Sequence, residues 1–253
     1  METELHEVGL QLWRGALLLG DFILDRQKNG EFKDVVAIEL GAGIGLSGFC
    51  MARTAKRVFL TDYSDEVLDN CRRNIDINDC TLNRDDHQHI FARRLDWTVE
   101  PEHNPLSSSY ESTTTCTHPS PYDWTPEDIR CLKECQIFLA ADVIYDDVLT
   151  DSLFQLLKST PRGVPGRKLY LAMEKRFNFC FDGTEARLYS AAHEHLMRHI
   201  KGDGTIFEAN QVDMDFPMRF EYERGPDLEL WEISCMVIDG TMHAHIGSQL
   251  FNL

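Results

Sequence analysis

The fold is decided by the stretch Val35-Val36-Ala37-Ile38-Glu39-Leu40-Gly41-Ala42-Gly43-Ile44-Gly45. Residues 35–40 form a short run rich in β-branched side chains, which is typical of a parallel strand buried on both faces. The glycines that follow predict a tight turn. Residues 46–54 then predict a helix, so this stretch opens a unit of strand, turn and helix.

Working outward from this unit, strand and helix patterns alternate along the chain. We predict a helix within the first thirty residues, a second after Ser64, and others at 127–135, 148–157 and 184–200. The predicted strands are 35–40, 57–61, 89–95, 136–141, 168–173, 205–211 and 228–235. This alternation predicts an α/β fold with a mostly parallel seven-stranded sheet and helices on both faces. Since no helix separates the last two strands, we expect them to form a C-terminal antiparallel hairpin.

The length of 253 residues suits a single domain spanning 1–253. A hydrophobic fraction of 43% is enough for a full core and excludes wholesale disorder. Residues 99–127 are rich in Pro, Ser and Thr without an apolar period, which predicts a mobile surface insertion. Residues 239–253 give no clear pattern and are expected to form a tail.

The formal net charge is −17, from 42 acidic and 25 basic residues. This balance argues against a broad nucleic-acid surface, which needs clustered Lys and Arg. It favours a basic partner, or it serves solubility alone. No apolar run approaches the roughly 18–20 residues that span a bilayer, and the acidic start lacks the pattern of a signal peptide. We therefore expect an intracellular protein with no membrane partner.

The cysteines and histidines give no metal motif. The eight cysteines are scattered, so we expect reduced thiols, and Cys131 and Cys135 lack the second pair of ligands that zinc needs. An H-E-x-x-H motif starting at His193 would need histidine at position 197, which is Met197. His195 and His199 lie one helical turn apart, but no further ligand follows at a fixed spacing. We therefore predict no metal site.

Two cofactor types fit the glycine turn. Gly43, Gly45 and Gly48 match the dinucleotide fingerprint G-x-G-x-x-G, while Glu39, Gly41, Gly43 and Gly45 match E-x-G-x-G-x-G. Glu39 stands at the carboxyl end of a strand, where ligands bind in open α/β sheets. Its charge would repel a pyrophosphate but suits S-adenosylmethionine, which carries two positive groups and no phosphate. A glycine turn used only for packing remains the third interpretation.

Two more strand ends carry candidate cofactor residues. Asp62 ends the second strand and is placed to accept hydrogen bonds from both ribose hydroxyls. After the third strand, Asp96 can accept from an adenine amino group and Trp97 can pack on the ring. A helix-capping aspartate and a core tryptophan explain the latter pair equally well.

The chain resembles the seven-stranded class I methyltransferases. More narrowly, it resembles the protein-lysine methyltransferases that pair a glycine-rich motif with D-x-x-Y after the fourth strand. The segments that carry the resemblance are Leu12-Trp13-Arg14-Gly15-Ala16, residues 39–45, Thr61-Asp62, Leu95-Asp96-Trp97 and Ala140-Ala141-Asp142-Val143-Ile144-Tyr145. The resemblance implies a Rossmann-like fold. Since the family usually carries a longer segment before the first helix, it also implies a catalytic core or a shortened form.

The resemblance also implies roles for individual residues around S-adenosylmethionine, whose product is S-adenosylhomocysteine. Trp13 would border the cofactor pocket, Asp62 would hold the ribose and Trp97 the adenine. Gly41, Ala42 and Gly43 would contact the methionine part, and Ala141 the neighbourhood of the sulfonium. Asp142 and Tyr145 would line the channel of the target lysine.

Without the resemblance, the roles of Asp142 and Tyr145 stay open, because an aspartate after a strand often caps the next helix and a tyrosine often fills a core. Glu174-Lys175-Arg176 can shape a substrate groove or form internal ion pairs.

The interpretation that the resemblance favours is methylation of a lysine in a basic or nucleic-acid-binding nuclear protein. It implies a monomer in the nucleus and also the cytoplasm, with no direct nucleic-acid partner. The alternatives are methylation of RNA or a small molecule, and a non-catalytic module that binds the cofactor.

Overall fold

The computed structural model describes residues 9–82, 89–110, 120–161, 164–181 and 186–235. The expected tail at 239–253 lies outside these residues, as does the middle of the 99–127 segment. Within the described part of the chain, no helix is both long enough and apolar enough to span a bilayer.

A seven-stranded sheet forms the centre of the structure. Its strands are β1 (Val36–Leu40), β2 (Arg57–Asp62), β3 (Ile90–Arg94), β4 (Ile137–Ala141), β5 (Lys168–Glu174), β8 (Phe207–Gln211) and β9 (Leu228–Cys235). Their order is β3-β2-β1-β4-β5-β9-β8, and the first five strands in this order are parallel. Strand β9 runs antiparallel to β5, and β8 antiparallel to β9, so the predicted C-terminal hairpin is confirmed.

Helices cover both faces of the sheet, as predicted. The helices are α1 (Arg14–Arg26), α2 (Leu46–Ala52), α3 (Asp65–Leu82), α4 (Pro126–Leu132), α5 (Asp147–Ser159) and α6 (Ala191–Lys201). The apolar sides of α1, α2 and α3 share one core cluster, and those of α4, α5 and α6 share the other. The sheet is therefore buried on both sides, which explains why β1 is apolar along its whole length apart from Glu39.

A small second sheet replaces the start of one predicted helix. Strands β6 (Asn178–Phe181) and β7 (Ala186–Tyr189) pair antiparallel with each other outside the main sheet. The predicted helix at 184–200 is therefore wrong at its beginning, and α6 starts only at Ala191. Residues 186–189 satisfy their backbone hydrogen bonds across the hairpin instead of along a helix.

The segment 99–127 is more than a surface insertion. Asn104, Leu106 and Tyr122 are buried, and the Tyr122 hydroxyl donates to Asp69 on α3. Leu106 packs in the same core cluster as α5. The expectation of a surface location fails for these residues, since a few apolar contacts anchor the segment without any periodic pattern.

Helix α1 is held to the rest of the domain by a buried ion pair. Asp21 is fully buried and accepts from Arg224 at 2.7 Å and from the Tyr222 hydroxyl at 2.9 Å. The backbone N–H of Arg219 donates to the same carboxylate at 2.6 Å. These bonds fix the chain between β8 and β9 against the helix and so fix where α1 begins, next to the cleft described below.

Candidate active site

Three parallel strands end at one edge of the sheet. The register pairs Leu40 with Thr61 on one side and with Ala140 on the other. Gly41, Asp62 and Ala141 therefore follow one another across this edge. Ligands of open α/β sheets bind at the carboxyl ends of the strands, so this edge forms the candidate cleft.

The turn after β1 needs its glycines. Gly41, Gly43 and Gly45 have φ values of +64°, +53° and +83°, which side chains other than glycine rarely adopt. A Cβ atom on Gly41 would also stand 2.9 Å from Val143 and 3.2 Å from the Trp97 ring. The turn thus brings bare backbone to the cleft.

The carboxylate of Glu39 lies behind this turn and faces helix α2. Glu39 is buried, and its Oε2 accepts a hydrogen bond of 2.9 Å from the backbone N–H of Gly48 in the first turn of that helix. Burial raises the pKa of Glu39 to about 7. A Cβ atom on Gly48 would stand 2.7 Å from this carboxylate, so glycine is needed for the close approach.

Asp62 lies at the end of β2, as predicted, and its carboxylate borders the glycine turn. The N–H of Ser64 donates to Oδ1 at 3.2 Å, and the N–H of Gly43 lies 3.4 Å from Oδ2. Burial raises the pKa of Asp62, while these two N–H groups favour its charged form. Each carboxylate oxygen keeps accepting capacity for a further donor.

The two residues after β3 differ in their surroundings. Asp96 uses Oδ1 to accept from the N–H and the hydroxyl of Thr98, at 2.8 and 2.6 Å, and so stabilises a local turn. Trp97 is half-buried, with the edge of its ring beside Gly41. Trp97 also lines a cavity of about 310 Å³ between residues 98–104 and α5.

Asp142 links three parts of the structure. Its Oδ2 accepts from the N–H of Gly15 at 2.7 Å, and its Oδ1 accepts from the N–H of Glu174 at 2.9 Å. Its own backbone lies in the left-handed region, with φ +55°. Burial raises the pKa of Asp142, against the effect of its two N–H donors and of Arg176. Asp142 does not cap the following helix, because Asp146 does so by accepting from the N–H of Leu149 at 2.9 Å.

Tyr145 stands at the mouth of the cleft. Its side chain is about half exposed, at 51%. Partial burial raises its pKa, and the nearby Tyr63 and Asp62 act in the same direction. Tyr145 is therefore not a core residue.

The beginning of α1 completes the cleft. Trp13 precedes the helix, and the Arg176 guanidinium lies 4.8 Å from the centre of its ring. Arg14 forms a bidentate ion pair with Glu174, which raises the pKa of Arg14. Lys175 pairs with Glu229 at 3.0 Å. Glu174 and Lys175 thus form ion pairs within the molecule, and Arg176 contacts the Trp13 ring.

The structure brings most of the predicted site residues to one edge of the sheet. Gly41, Asp62, Trp97 and Asp142 lie around this edge, while the Glu39 carboxylate is turned towards α2. The residues that sequence reasoning missed are Arg14 and Gly15. The signal for them was present, since both lie in the quoted segment 12–16, but nothing local tells which strand end they contact.

Comparison with known proteins gives one family and several relatives. Residues 1–110 match a family model described as lysine methyltransferase. The chain is 35% identical to human methyltransferase-like protein 22 over 240 residues, which are 92% of this chain and 55% of that protein. It is 28% identical to the mouse protein-lysine N-methyltransferase EEF2KMT over 59% of this chain and 39% of that protein. The chain thus spans about half the length of these curated relatives, or less.

Among solved structures, the chain is similar to a magnesium protoporphyrin IX methyltransferase from Synechocystis with bound S-adenosylhomocysteine. The TM-score is 0.47 at 12% identity, with 92% of this chain and 88% of that chain covered.

Proposed function

We propose that the protein transfers a methyl group from S-adenosylmethionine to a lysine side chain of another protein, since residues 1–110 match the family model described as lysine methyltransferase. The cleft at the ends of β1, β2 and β4 is the proposed site.

The observation that carries the choice of cofactor is the bond between Glu39 and Gly48. In dinucleotide folds, the free N–H groups at the start of the first helix face a pyrophosphate. Here the N–H of Gly48 already donates to a buried carboxylate of the protein. A pyrophosphate at the start of α2 would therefore lack this donor, whereas S-adenosylmethionine has no phosphate that needs it.

The remaining residues of the cleft suit the same ligand. Asp62 is placed to accept from ribose hydroxyls, and Trp97 to pack against the adenine, with Asp96 Oδ2 for its amino group. The backbone of 41–43, with no bulky side chain, and Ala141 leave room for the methionine part. Trp13 closes the side formed by α1. S-adenosylmethionine supplies an electrophilic methyl group on a sulfonium.

The reaction needs a neutral amine. Lysine has a pKa near 10.4, so selecting its neutral form near pH 7.4 costs about 4 kcal/mol, at about 1.36 kcal/mol for each pH unit. Holding the amine in line with the methyl group offsets this cost. We propose that Asp142 orients the amine with the lone pairs that its two backbone donors leave free. Tyr145, half exposed beside it, forms the wall of the lysine channel.

We propose a basic protein as substrate. Asp146 and Asp147 are exposed directly after Tyr145, and the whole chain carries a net charge of −17. Such a surface accelerates the encounter with positively charged partners and repels nucleic acid. A nucleic-acid-binding protein of the nucleus, with some enzyme also in the cytoplasm, fits this charge, and we propose that the enzyme acts as a monomer.

The test is a transfer assay on a nuclear extract. The pure protein is incubated with S-adenosylmethionine labelled in the methyl group, and the labelled products are separated and hydrolysed to amino acids. We expect the label in a protein band and, after hydrolysis, in methylated lysine. Label only in RNA or small molecules would contradict the proposal, as would binding without transfer.

A matched pair of variants controls this assay. Asp142→Asn removes the charge and one acceptor from the proposed channel, and is expected to reduce transfer while binding of S-adenosylmethionine persists. Asp25→Asn changes the ion pair with Lys28 at the end of α1 opposite to Gly15, and is expected to leave both transfer and binding unchanged. Equal transfer by the two variants would remove Asp142 from the mechanism.

A further inference from the structure

Three side chains outside the cleft join helices α5 and α6. Asp151 on α5 faces His195 and His199 on α6, and one ligand atom of each residue lies within 4.8 Å of the other two. The two histidines are four residues apart, so they share one helix face. Sequence spacing alone could not supply the third residue, since it comes from another helix.

The ligand atoms converge on one oxygen. The Nε2 atoms of His195 and His199 lie 2.7 and 2.8 Å from Oδ1 of Asp151. Imidazole nitrogen and carboxylate oxygen bind zinc at about 2.0–2.2 Å, which places tetrahedral ligand atoms about 3.4 Å apart. Each of the two distances must therefore grow by about 0.7 Å to admit the ion. The Asp151 side chain is 59% exposed, so rotation of this side chain is the movement we expect to admit the ion.

Neighbouring residues restrict the two histidine rings, whereas the Asp151 carboxylate is exposed to solvent. The His199 ring stacks on Phe154, with ring centres 4.5 Å apart and planes 3° apart, which fixes its direction. The side chains of His195 and His199 are only 13% and 18% exposed, while that of Asp151 is 59% exposed. Ions can therefore reach the cluster from solvent, and a water molecule can occupy a fourth position.

A further carboxylate lies behind His195. Nδ1 of His195 lies 3.6 Å from Asp147 Oδ2 and accepts a hydrogen bond of 2.6 Å from the Arg198 guanidinium. When Nε2 binds a metal, the imidazole proton resides on Nδ1, and a carboxylate then becomes the matching acceptor. Asp147 can accept this hydrogen bond from Nδ1 once the Arg198 guanidinium has moved away from the ring.

We propose that Asp151, His195 and His199 form a zinc(II) site with water as the fourth ligand. The ion would tie the N-terminal half of α5 to the middle and the last turn of α6. Without it, the two histidines donate to Asp151 and the link is a pair of hydrogen bonds.

The test is calorimetric titration of zinc chloride into untagged protein previously stripped with EDTA. We expect one zinc ion per chain at this site, and an affinity lower by about 100-fold or more in His199→Ala and Asp151→Asn, since even outer-shell changes cost roughly 10- to 100-fold. Asp151 is exposed, so Asp151→Asn decides the question if the histidine variant does not fold. His103→Ala, outside the cluster, is the control and should bind like the native chain.

Three results would overturn the proposal. The first two are the absence of zinc binding and binding that is equally tight in Asp151→Asn. The third comes from cobalt(II) in place of zinc, for which we expect a tetrahedral spectrum without a thiolate charge-transfer band. A thiolate band lost on cysteine alkylation would place the ion on cysteines instead.

Discussion

Replacing Gly15 with alanine should destabilise the protein, although the same change in most helices is stabilising. Gly15 lies in the first turn of α1, and a Cβ atom there would stand 2.5 Å from Oδ2 and 2.8 Å from Cγ of Asp142. The Asp142 side chain cannot move aside freely, because its other oxygen accepts from the N–H of Glu174. Alanine must therefore displace the carboxylate.

The magnitude follows from two opposing contributions. Alanine in place of glycine in a helix gains about 1 kcal/mol. Loss of the hydrogen bond from the Gly15 N–H to a charged carboxylate costs about 1.5–3 kcal/mol. The free energy of unfolding should fall by about 0.5–2 kcal/mol, or by about 2–5 kcal/mol if the bond to Glu174 is lost as well. At about 2–4 °C for each kcal/mol in a domain of this size, the first of these losses should lower Tm by roughly 1–8 °C.

The decisive assay is a double-mutant cycle measured by urea unfolding. In an Asp142→Gly background, glycine tolerates the φ of +55° and no carboxylate opposes the new methyl group. There, Gly15→Ala should stabilise by up to about 1 kcal/mol. Gly225→Ala, whose Cβ would meet no atom within 4 Å, is the control and should change little in either background. The same destabilisation by Gly15→Ala with and without Asp142 would refute the reasoning.

Three further predictions concern stability. Burial raises the pKa of Glu39 from its ordinary 4.5 to about 7, so the folded state binds more protons than the unfolded state between these values, and stability is lost as pH rises through this window. Glu39→Gln has no carboxyl group to titrate, so its free energy of unfolding minus that of the native chain should rise by about 3 kcal/mol between pH 4.5 and 8. A difference that stays constant over this pH range would contradict the prediction. Gly48→Ala places a Cβ atom 2.1 Å from a methyl group of Leu60 in β2 and should lower the free energy of unfolding in urea by about 2 kcal/mol. An unchanged urea midpoint would show that Leu60 moves aside without cost. Asp21→Ala leaves the largely buried Arg224 without its carboxylate and should cost about 3–5 kcal/mol, against less than about 1 kcal/mol for Asp25→Ala on the same helix; comparable thermal shifts in the two variants would refute the role of the buried pair.

The architecture was predictable because its signals are local. Strands β1, β2, β4 and β9 follow from short apolar runs, and the turn at 41–45 follows from its glycines. The small hairpin β6–β7 was missed because its residues gain their backbone partners from each other, outside the main sheet.

The site was predictable only as far as the strand ends. Gly41, Asp62 and Trp97 come together because parallel strands end at one edge. The partners of Asp142 are 127 and 32 residues away, and Arg14 meets Glu174 across 160 residues. Such pairs depend on how α1 lies over the sheet, which no spacing in the sequence records. Asp151 was missed beside His195 and His199 for the same reason.

The most direct test of the account is a side-by-side calorimetric titration with S-adenosylmethionine and NAD. We expect one S-adenosylmethionine per chain, no measurable binding of NAD, and at least about tenfold weaker S-adenosylmethionine binding in Asp62→Ala, from the loss of about 1.4 kcal/mol or more of hydrogen bonding. Binding of NAD in preference to S-adenosylmethionine, or S-adenosylmethionine binding that does not respond to Asp62, would contradict it.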